Sequence, residues 1–167
     1  MKKINVAVVG ATGMVGSMFL KVLTERQLPV ENYYLYASAK SAGKKIDFMG
    51  KEHTVIELTA ENVRKYPVDI ALFSAGASTS KEFAPIFAET GAVVVDNSSQ
   101  WRMYDDIPLV VPECNPEDVE WNKGIIANPN CSTIQAVVAL KALHDKFGLK
   151  RVVYSTYQAV SGAGVQG

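Results

Sequence analysis

The chain has 167 residues, 48% of them hydrophobic and 20% charged, and its 17 lysines and arginines balance 17 aspartates and glutamates. That length supports one solid core, or one domain and part of another, in a soluble globular protein. The balanced charge and the lack of a basic block exclude the field that attracts nucleic acid or anionic lipid, and no apolar run approaches membrane-spanning length.

The first apolar, β-branched run, Ile4–Val9, predicts a strand. Lys2 and Lys3 ahead of it imitate a signal peptide, but Asn5 interrupts the run, glycines follow at once, and no cleavage-like site comes after. Cys114 and Cys131, seventeen positions apart, show no paired spacing. They fit a reducing compartment, argue against a zinc site and predict a cytoplasmic location.

Gly10-Ala-Thr-Gly13-Met-Val-Gly16 follows that strand and opens the helical pattern Met14–Arg26. Strand, glycine loop and helix in this order are the context of a dinucleotide loop. Glycine allows a tight turn and close approach to a pyrophosphate, and the helix N-terminus binds the anion. Gly-x-x-Gly-x-x-Gly is a variant of the commoner fingerprint, and any tight strand-to-helix turn favours glycine. Its position at the first element favours the cofactor reading over a purely structural one. Gly10, Thr12, Gly13, Met14, Val15 and Gly16 are the candidate cofactor residues.

The second strand, Tyr33–Ala37, leads into Ser38-Ala-Lys40-Ser41-Ala-Gly-Lys44. An NAD site usually places an acid there for the ribose 2′-hydroxyl. The absence of one, with hydroxyls and cations in its place, predicts NADP, with Ser38, Lys40 and Ser41 near the 2′-phosphate. A solvated turn also favours Ser, Lys and Gly, but does not account for the missing acid.

Ile46–Leu58 alternates around a Gly50 turn and reads as a small hairpin or extended excursion. Strands at Ile70–Phe73, Val93–Val95, Leu109–Val111 and Ile125–Ala127 and helices at Lys81–Thr90 and Thr133–Phe147 complete the pattern. This alternation predicts a Rossmann-like α/β fold, a mostly parallel sheet with helices on both faces. We expect a cofactor domain over 1–130. From 131 to 167 a second, α+β domain of catalytic and dimerisation character begins. There Arg151–Val160 reads as a long strand ending in Ser161-Gly-Ala-Gly164, and the glycine-rich end at Gly167 reads as a polypeptide cut short.

Asn128-Pro-Asn130-Cys131-Ser-Thr133 is the most informative stretch. It follows the strand Ile125–Ala127 and precedes a helix whose apolar residues recur at Ala136, Leu140, Leu143 and Phe147. Cys131 therefore sits at or near a helix N-terminus, where free N–H groups and the dipole stabilise a thiolate. A lone cysteine is more often a buried structural one. A nicotinamide loop in the same chain favours a nucleophile instead, and the pair implies aldehyde chemistry through a thioester. Backbone amides near Cys131 would stabilise the oxyanion. If the acyl acceptor is phosphate, Arg102 is the candidate cation, its fork matched to phosphate; an ordinary surface salt bridge is the plainer alternative.

The general base is missing. His144 is thirteen residues along the helix from Cys131, about 20 Å at the helical rise. His53 falls in the hairpin-like excursion. Both read as surface histidines.

The quoted motifs, together with Leu72-Phe-Ser-Ala-Gly76, Val95-Asp-Asn-Ser-Ser99, Pro108-Leu-Val-Val-Pro-Glu113 and Ser155-Thr-Tyr-Gln158-Ala-Val-Ser161-Gly162-Ala-Gly164, resemble the bacterial aspartate-semialdehyde dehydrogenase family over essentially the whole chain. The resemblance implies reductive dephosphorylation of L-4-aspartyl phosphate to L-aspartate 4-semialdehyde with NADPH, releasing phosphate, on the route to lysine, methionine, threonine and isoleucine. By position it implies that Cys131 forms the acyl-thioester, Gln158 orients substrate, Arg102 holds phosphate and Asn130 stands beside the nucleophile. It adds Ser161 and Gly162 to Thr12–Val15, Lys40 and Ser41 as NADP contacts. Members of the family are roughly double this length and form homodimers or homotetramers. The further half would carry the histidine base, more substrate-binding residues and most of the dimer interface. Position 40 is often arginine in relatives; Lys40 keeps the charge and loses the fork. Cys114 stands where relatives usually carry an aliphatic residue, which supports packing.

Two alternatives remain. N-acetyl-gamma-glutamyl-phosphate reductases share the plan and chemistry, but typically have glycine before the cysteine and an aromatic after it, where this chain has Asn130 and Ser132. A fragment that binds NADP without turnover is the other, since no base is present and an apolar face is left uncovered.

Overall fold

The computed structural model describes residues 3–157 and residue 159. In chain order the elements are β1 (Ile4–Val9), α1 (Met14–Arg26), β2 (Val30–Ala37), β3 (Lys45–Phe48), β4 (Lys51–Thr54), β5 (Ile56–Glu57), α2 (Ala60–Lys65), β6 (Ile70–Phe73), α3 (Ala77–Glu89), β7 (Val93–Asp96), β8 (Ile125–Ala127) and α4 (Cys131–Phe147). Short 3-10 turns occupy Ala39–Ser41 and Pro116–Trp121.

Six strands form one sheet in the order β5-β2-β1-β6-β7-β8, and every pairing in it is parallel. β3 and β4 pair antiparallel as a separate hairpin. The predicted Rossmann-like fold is therefore what forms, with helices packing on both faces of the sheet.

Strand alternation explains the two cores. Val8 on β1 and Leu35 on β2 point to one face, where they meet Leu20 and Leu23 of α1 and Phe48 of the hairpin. Ala7, Val9, Tyr36 and Phe73 point to the other, against Val63 of α2 and Ala84 and Phe87 of α3. The rings of Tyr36 and Phe73 each meet Phe87 edge-on, with centroids 5.5 Å and 5.4 Å away. The side chains of Tyr36, Phe73 and Phe87 are fully buried and remove large apolar areas from water.

β1 is central, with β2 on one side and β6 on the other. The strand order reverses there, so the loops leaving β1 and β6 open a crevice at the carboxyl edge of the sheet. The loops leaving β7 and β8 lie on the same edge, because all these strands run the same way.

The sequence patterns place most elements correctly and miss in instructive places. Leu109–Val111 does not form a strand. It makes a single parallel bridge, Leu109 to Ala127, because Pro108 and Pro112 flank the run and cannot donate to a ladder. The expected strand over Arg151–Val160 is absent from 151–157, which are exposed and have no strand partner; Val160 lies outside the described residues. α3 begins at Ala77 rather than Lys81. Its polar opening is used: Ser80 is buried and its Oγ accepts from Trp101 Nε1 at 2.8 Å. His53 is no surface histidine. Its ring lies 5.7 Å from Phe48 and 6.4 Å from Tyr33, centroid to centroid, inside the hairpin cluster. α4 buries none of its residues, and Leu143 and Phe147 on its predicted apolar face are 47% and 70% exposed.

Candidate active site at the carboxyl edge of the sheet

The glycine loop is built by backbone contacts that exclude side chains. Gly10 adopts a φ of 86°, which favours glycine. A Cβ there would collide with the carbonyl of Ser74, and a Cβ on Gly16 would collide with the carbonyl of Gly10. The first glycine thus lets the β1 and β6 loops touch, and the third lets α1 pack on the turn. Gly13 is the N-cap of α1 and has no side chain to satisfy the first-turn N–H groups. The loop surface at Thr12, Gly13 and Met14 is exposed. Backbone donors at an uncapped helix N-terminus, with no acid in the first turn, suit a pyrophosphate.

Gly76, the N-cap of α3, has a φ of 86° and open space where a Cβ would stand. It lies on the loop leaving β6, two residues beyond Ser74, whose carbonyl abuts Gly10. In the sequence this segment carries only the family resemblance and no cofactor signal of its own.

The turn after β2 stands beside the glycine loop, because Gly10 N and Ala11 N both donate to Tyr36 O, at 2.9 Å and 3.1 Å. Ser38 N-caps the 3-10 turn that carries Lys40 and Ser41, and the Lys40 side chain is exposed. No carboxylate occupies this turn.

Cys131 is the first residue of α4 and is exposed. Asn130 caps the helix: its Oδ1 accepts from Ser132 N at 2.9 Å and Thr133 N at 3.3 Å. The helix thus starts two residues earlier than its apolar period indicates, and no acid lies in its first turn to oppose a thiolate.

Arg102 is half-buried and anchored to backbone. Its Nε donates to Asn128 O at 2.9 Å and its Nη2 to Asn97 O at 3.0 Å. These carbonyls take the side-on pair of donors and leave the end-on pair, Nη1 with the outer Nη2 hydrogen, for an anion. Arg102 is therefore not the surface salt bridge that its spacing allows. Asn128 Nδ2 also donates to Asn97 Oδ1 at 2.7 Å, and Asn128 N to Asp96 O at 2.8 Å. Neither asparagine is marked as a site residue by its spacing; each stands just past a predicted strand, within a motif that carries the family resemblance.

Asp96 ends β7 and is fully buried. Burial pushes its carboxyl above the usual value, while hydrogen bonds from Ser98, together with the Arg102 charge, work the other way. Ser98 Oγ donates to Asp96 Oδ2 at 2.5 Å and accepts from Gln100 N at 3.1 Å, shaping the loop that carries Arg102.

Neither histidine joins the site. His144 lines a shallow cavity of about 270 Å³ with Cys114, Lys141 and Leu149, in the last turn of α4. His53 is on the hairpin. Gln158, Ser161 and Gly162 lie outside the described residues. Among the described residues no cluster of His, Cys, Asp and Glu could hold a metal, and no helix is long and apolar enough to cross a membrane.

The family described as "Semialdehyde dehydrogenase, NAD binding domain" matches residues 5–122. An aspartate-semialdehyde dehydrogenase from Aquifex aeolicus is 67% identical over 164 residues, covering 97% of this chain and 48% of that protein. Among solved structures, aspartate semialdehyde dehydrogenase II from Vibrio cholerae matches with a TM-score of 0.92 and 51% identity, covering 99% of this chain and 50% of that one. Aspartate semialdehyde dehydrogenase with NADP from Candida albicans matches with a TM-score of 0.72 and 29% identity, covering 89% and 48%. The chain spans about half the length of the curated relatives it matches.

Proposed function

Because the chain belongs to the family of semialdehyde dehydrogenase NAD-binding domains, we propose that it is the cofactor- and nucleophile-bearing part of an NADP-dependent aspartate-semialdehyde dehydrogenase. The reaction is reductive dephosphorylation of L-4-aspartyl phosphate to L-aspartate 4-semialdehyde. One observation carries the reading: a cysteine at a capped helix N-terminus stands on the same sheet edge as a glycine loop that only a side-chain-free backbone can form.

In this reading the thiolate of Cys131 attacks the acyl carbon, phosphate leaves with the electron pair of the acyl C–O bond of the mixed anhydride, and a thioester forms. NADPH, when bound, supplies the hydride that reduces the thioester and returns the thiolate. The end-on donors of Arg102 hold the departing phosphate, and the positive end of the α4 dipole favours the thiolate and the developing oxyanion, the amides of Ser132 and Thr133 being taken by the Asn130 cap. Gly10, Thr12, Gly13, Met14, Val15 and Gly16 bind the pyrophosphate, and Ser38, Lys40 and Ser41 select NADP. Gln158 for substrate, and Ser161 and Gly162 for cofactor, follow from the resemblance. The base that takes the thiol proton is not one of the two histidines described. We assign it to the further half that the relatives possess, with residues 1–130 forming the cofactor domain and 131–167 opening the catalytic and dimerisation domain of a homodimer or homotetramer. The uncovered face of α4 supports that division. A cytoplasmic setting accords with the cysteine usage.

The test is phosphate-dependent NADPH formation from L-aspartate 4-semialdehyde, by this chain alone and joined to the carboxyl-terminal half of the Aquifex aeolicus relative. The expected result is NADPH binding by both, turnover by the joined protein only, and loss of turnover in Cys131→Ala. Turnover that survives Cys131→Ala overturns the proposal.

A further inference from the structure

We propose that Asn97 is a positioning residue that holds Arg102 and the Cys131 helix start in a fixed relation, by bridging the ends of β7 and β8. The inference rests on the reading of Arg102 as the anion-binding cation given above.

The geometry is a closed figure of hydrogen bonds. Asn97 N donates to Phe73 O at 3.0 Å, which fixes Asn97 to the end of β6. Its side-chain Oδ1 accepts from Asn128 Nδ2 at 2.7 Å. Its carbonyl accepts from Arg102 Nη2, while the carbonyl of Asn128 accepts from Arg102 Nε. The guanidinium therefore straddles two backbone carbonyls at the ends of β7 and β8, just past the point where the ladder closes with Asn128 N donating to Asp96 O, and the Asn97–Asn128 side-chain bond is what ties them beyond that point. Asn128 lies three residues before Cys131, and the intervening chain is short: the buried Pro129, then the helix cap Asn130. A change in the spacing of residues 97 and 128 therefore moves the cation and the nucleophile's helix relative to each other.

A simple packing role predicts something different. Asn97 and Asn128 are polar and only half-buried, and neither belongs to the buried clusters on the two faces of the sheet. Their bond is between side chains 31 positions apart and ties two loops rather than two layers. Half-buried bonds of this kind contribute little to stability and much to geometry, as expected where a preorganised constellation is held by the residues behind it.

The test compares alkylation of Cys131 by iodoacetate, an anion, and iodoacetamide, its neutral analogue, in this chain. Peptide mapping separates Cys131 from Cys114. The ratio of the two rates cancels the thiolate fraction and reads the positive field that Arg102 supplies at the thiol. Arg102→Ala is expected to lower the iodoacetate preference roughly fivefold. Asn97→Ala, Asn128→Ala and the double variant are expected to lower it by similar factors, because they remove two ends of one bond and do not add. NADPH affinity and the thermal midpoint are expected to stay near those of the parent, which separates misplacement from unfolding. An unchanged preference in Asn97→Ala while Arg102→Ala lowers it overturns this inference and spares the reading of Arg102. An unchanged preference in Arg102→Ala overturns both. Parallel losses of preference, NADPH affinity and thermal midpoint in Asn97→Ala overturn the positioning role in favour of a structural one.

Discussion

The α-carbon of Gly16 faces the carbonyl oxygen of Gly10 so closely that a methyl group cannot stand between them. The obstacle is backbone on a packed turn, so nothing yields by a rotamer change. Gly16→Ala should force α1 away from β1, at a cost of about 3 kcal/mol, the upper end of the overpacking range. Urea unfolding of the two proteins checks this. NADPH affinity should fall with it, because the same displacement spoils the helix N-terminus.

Lys40 is the exposed cation on the turn beside the glycine loop. Lys40→Ala should weaken NADPH about tenfold and change NADH by less than about twofold, since only the former carries the 2′-phosphate. Titration calorimetry with both cofactors distinguishes this from a general loss of affinity. Equal losses would remove Lys40 from cofactor selection.

Asp96 carries a buried carboxyl whose pKa is raised above 3.8, chiefly by burial. The folded state therefore binds its proton more tightly than the unfolded chain does. Its contribution to stability is full below the unfolded value and is lost as pH rises through the folded value. Asp96→Asn removes this dependence and still offers Ser98 an acceptor. At neutral pH the variant should melt about 3 °C higher for each 1 kcal/mol that the buried charge costs. Below the unfolded pKa the difference should vanish. Calorimetric melts across that range provide the measurement. A wild-type protein that melts higher at neutral pH would show that the Arg102 charge and the hydrogen bonds outweigh burial.

Asn130 satisfies two amides at the start of α4. Asn130→Ala should cost about 1 kcal/mol of helix stability. Because α4 buries none of its residues, that loss should stay local. Hydrogen exchange at Ser132 and Thr133 should quicken several-fold while amides of β1 and β6 keep their protection. Cys131 should also alkylate more slowly at neutral pH, since a frayed first turn stabilises a thiolate less.

Much of this protein is local, and local features are legible in one dimension. Ile4–Val9, Met14–Arg26, Ile70–Phe73 and Ile125–Ala127 form where their apolar runs and periodicity place them, because a short continuous apolar run suits a buried parallel strand and a 3.6-residue period suits a helix. The glycine loop and the cysteine at a helix start could be read the same way, since a tight turn and an N-cap are properties of a few adjacent residues. The misses share a cause as well. Leu109–Val111 has strand composition but flanking prolines that deny it a ladder, and 151–157 has strand composition without a neighbouring strand. The ladder is a contact between distant segments, and composition does not supply it.

The sequence by itself determined the fold class, the glycine loop and the cysteine at a helix start, each set by neighbours in the chain. Tertiary structure alone decided the order of the strands, which brings the loops after β1, β6, β7 and β8 to one edge. It alone set the half-buried His53 ring against Tyr33 and Phe48. It alone turned Arg102 from a surface cation into one braced on Asn97 and Asn128, residues whose side chains meet across 31 positions. A hydrogen bond needs its partners within a few ångströms, and only the folded sheet sets which distant residues come that near.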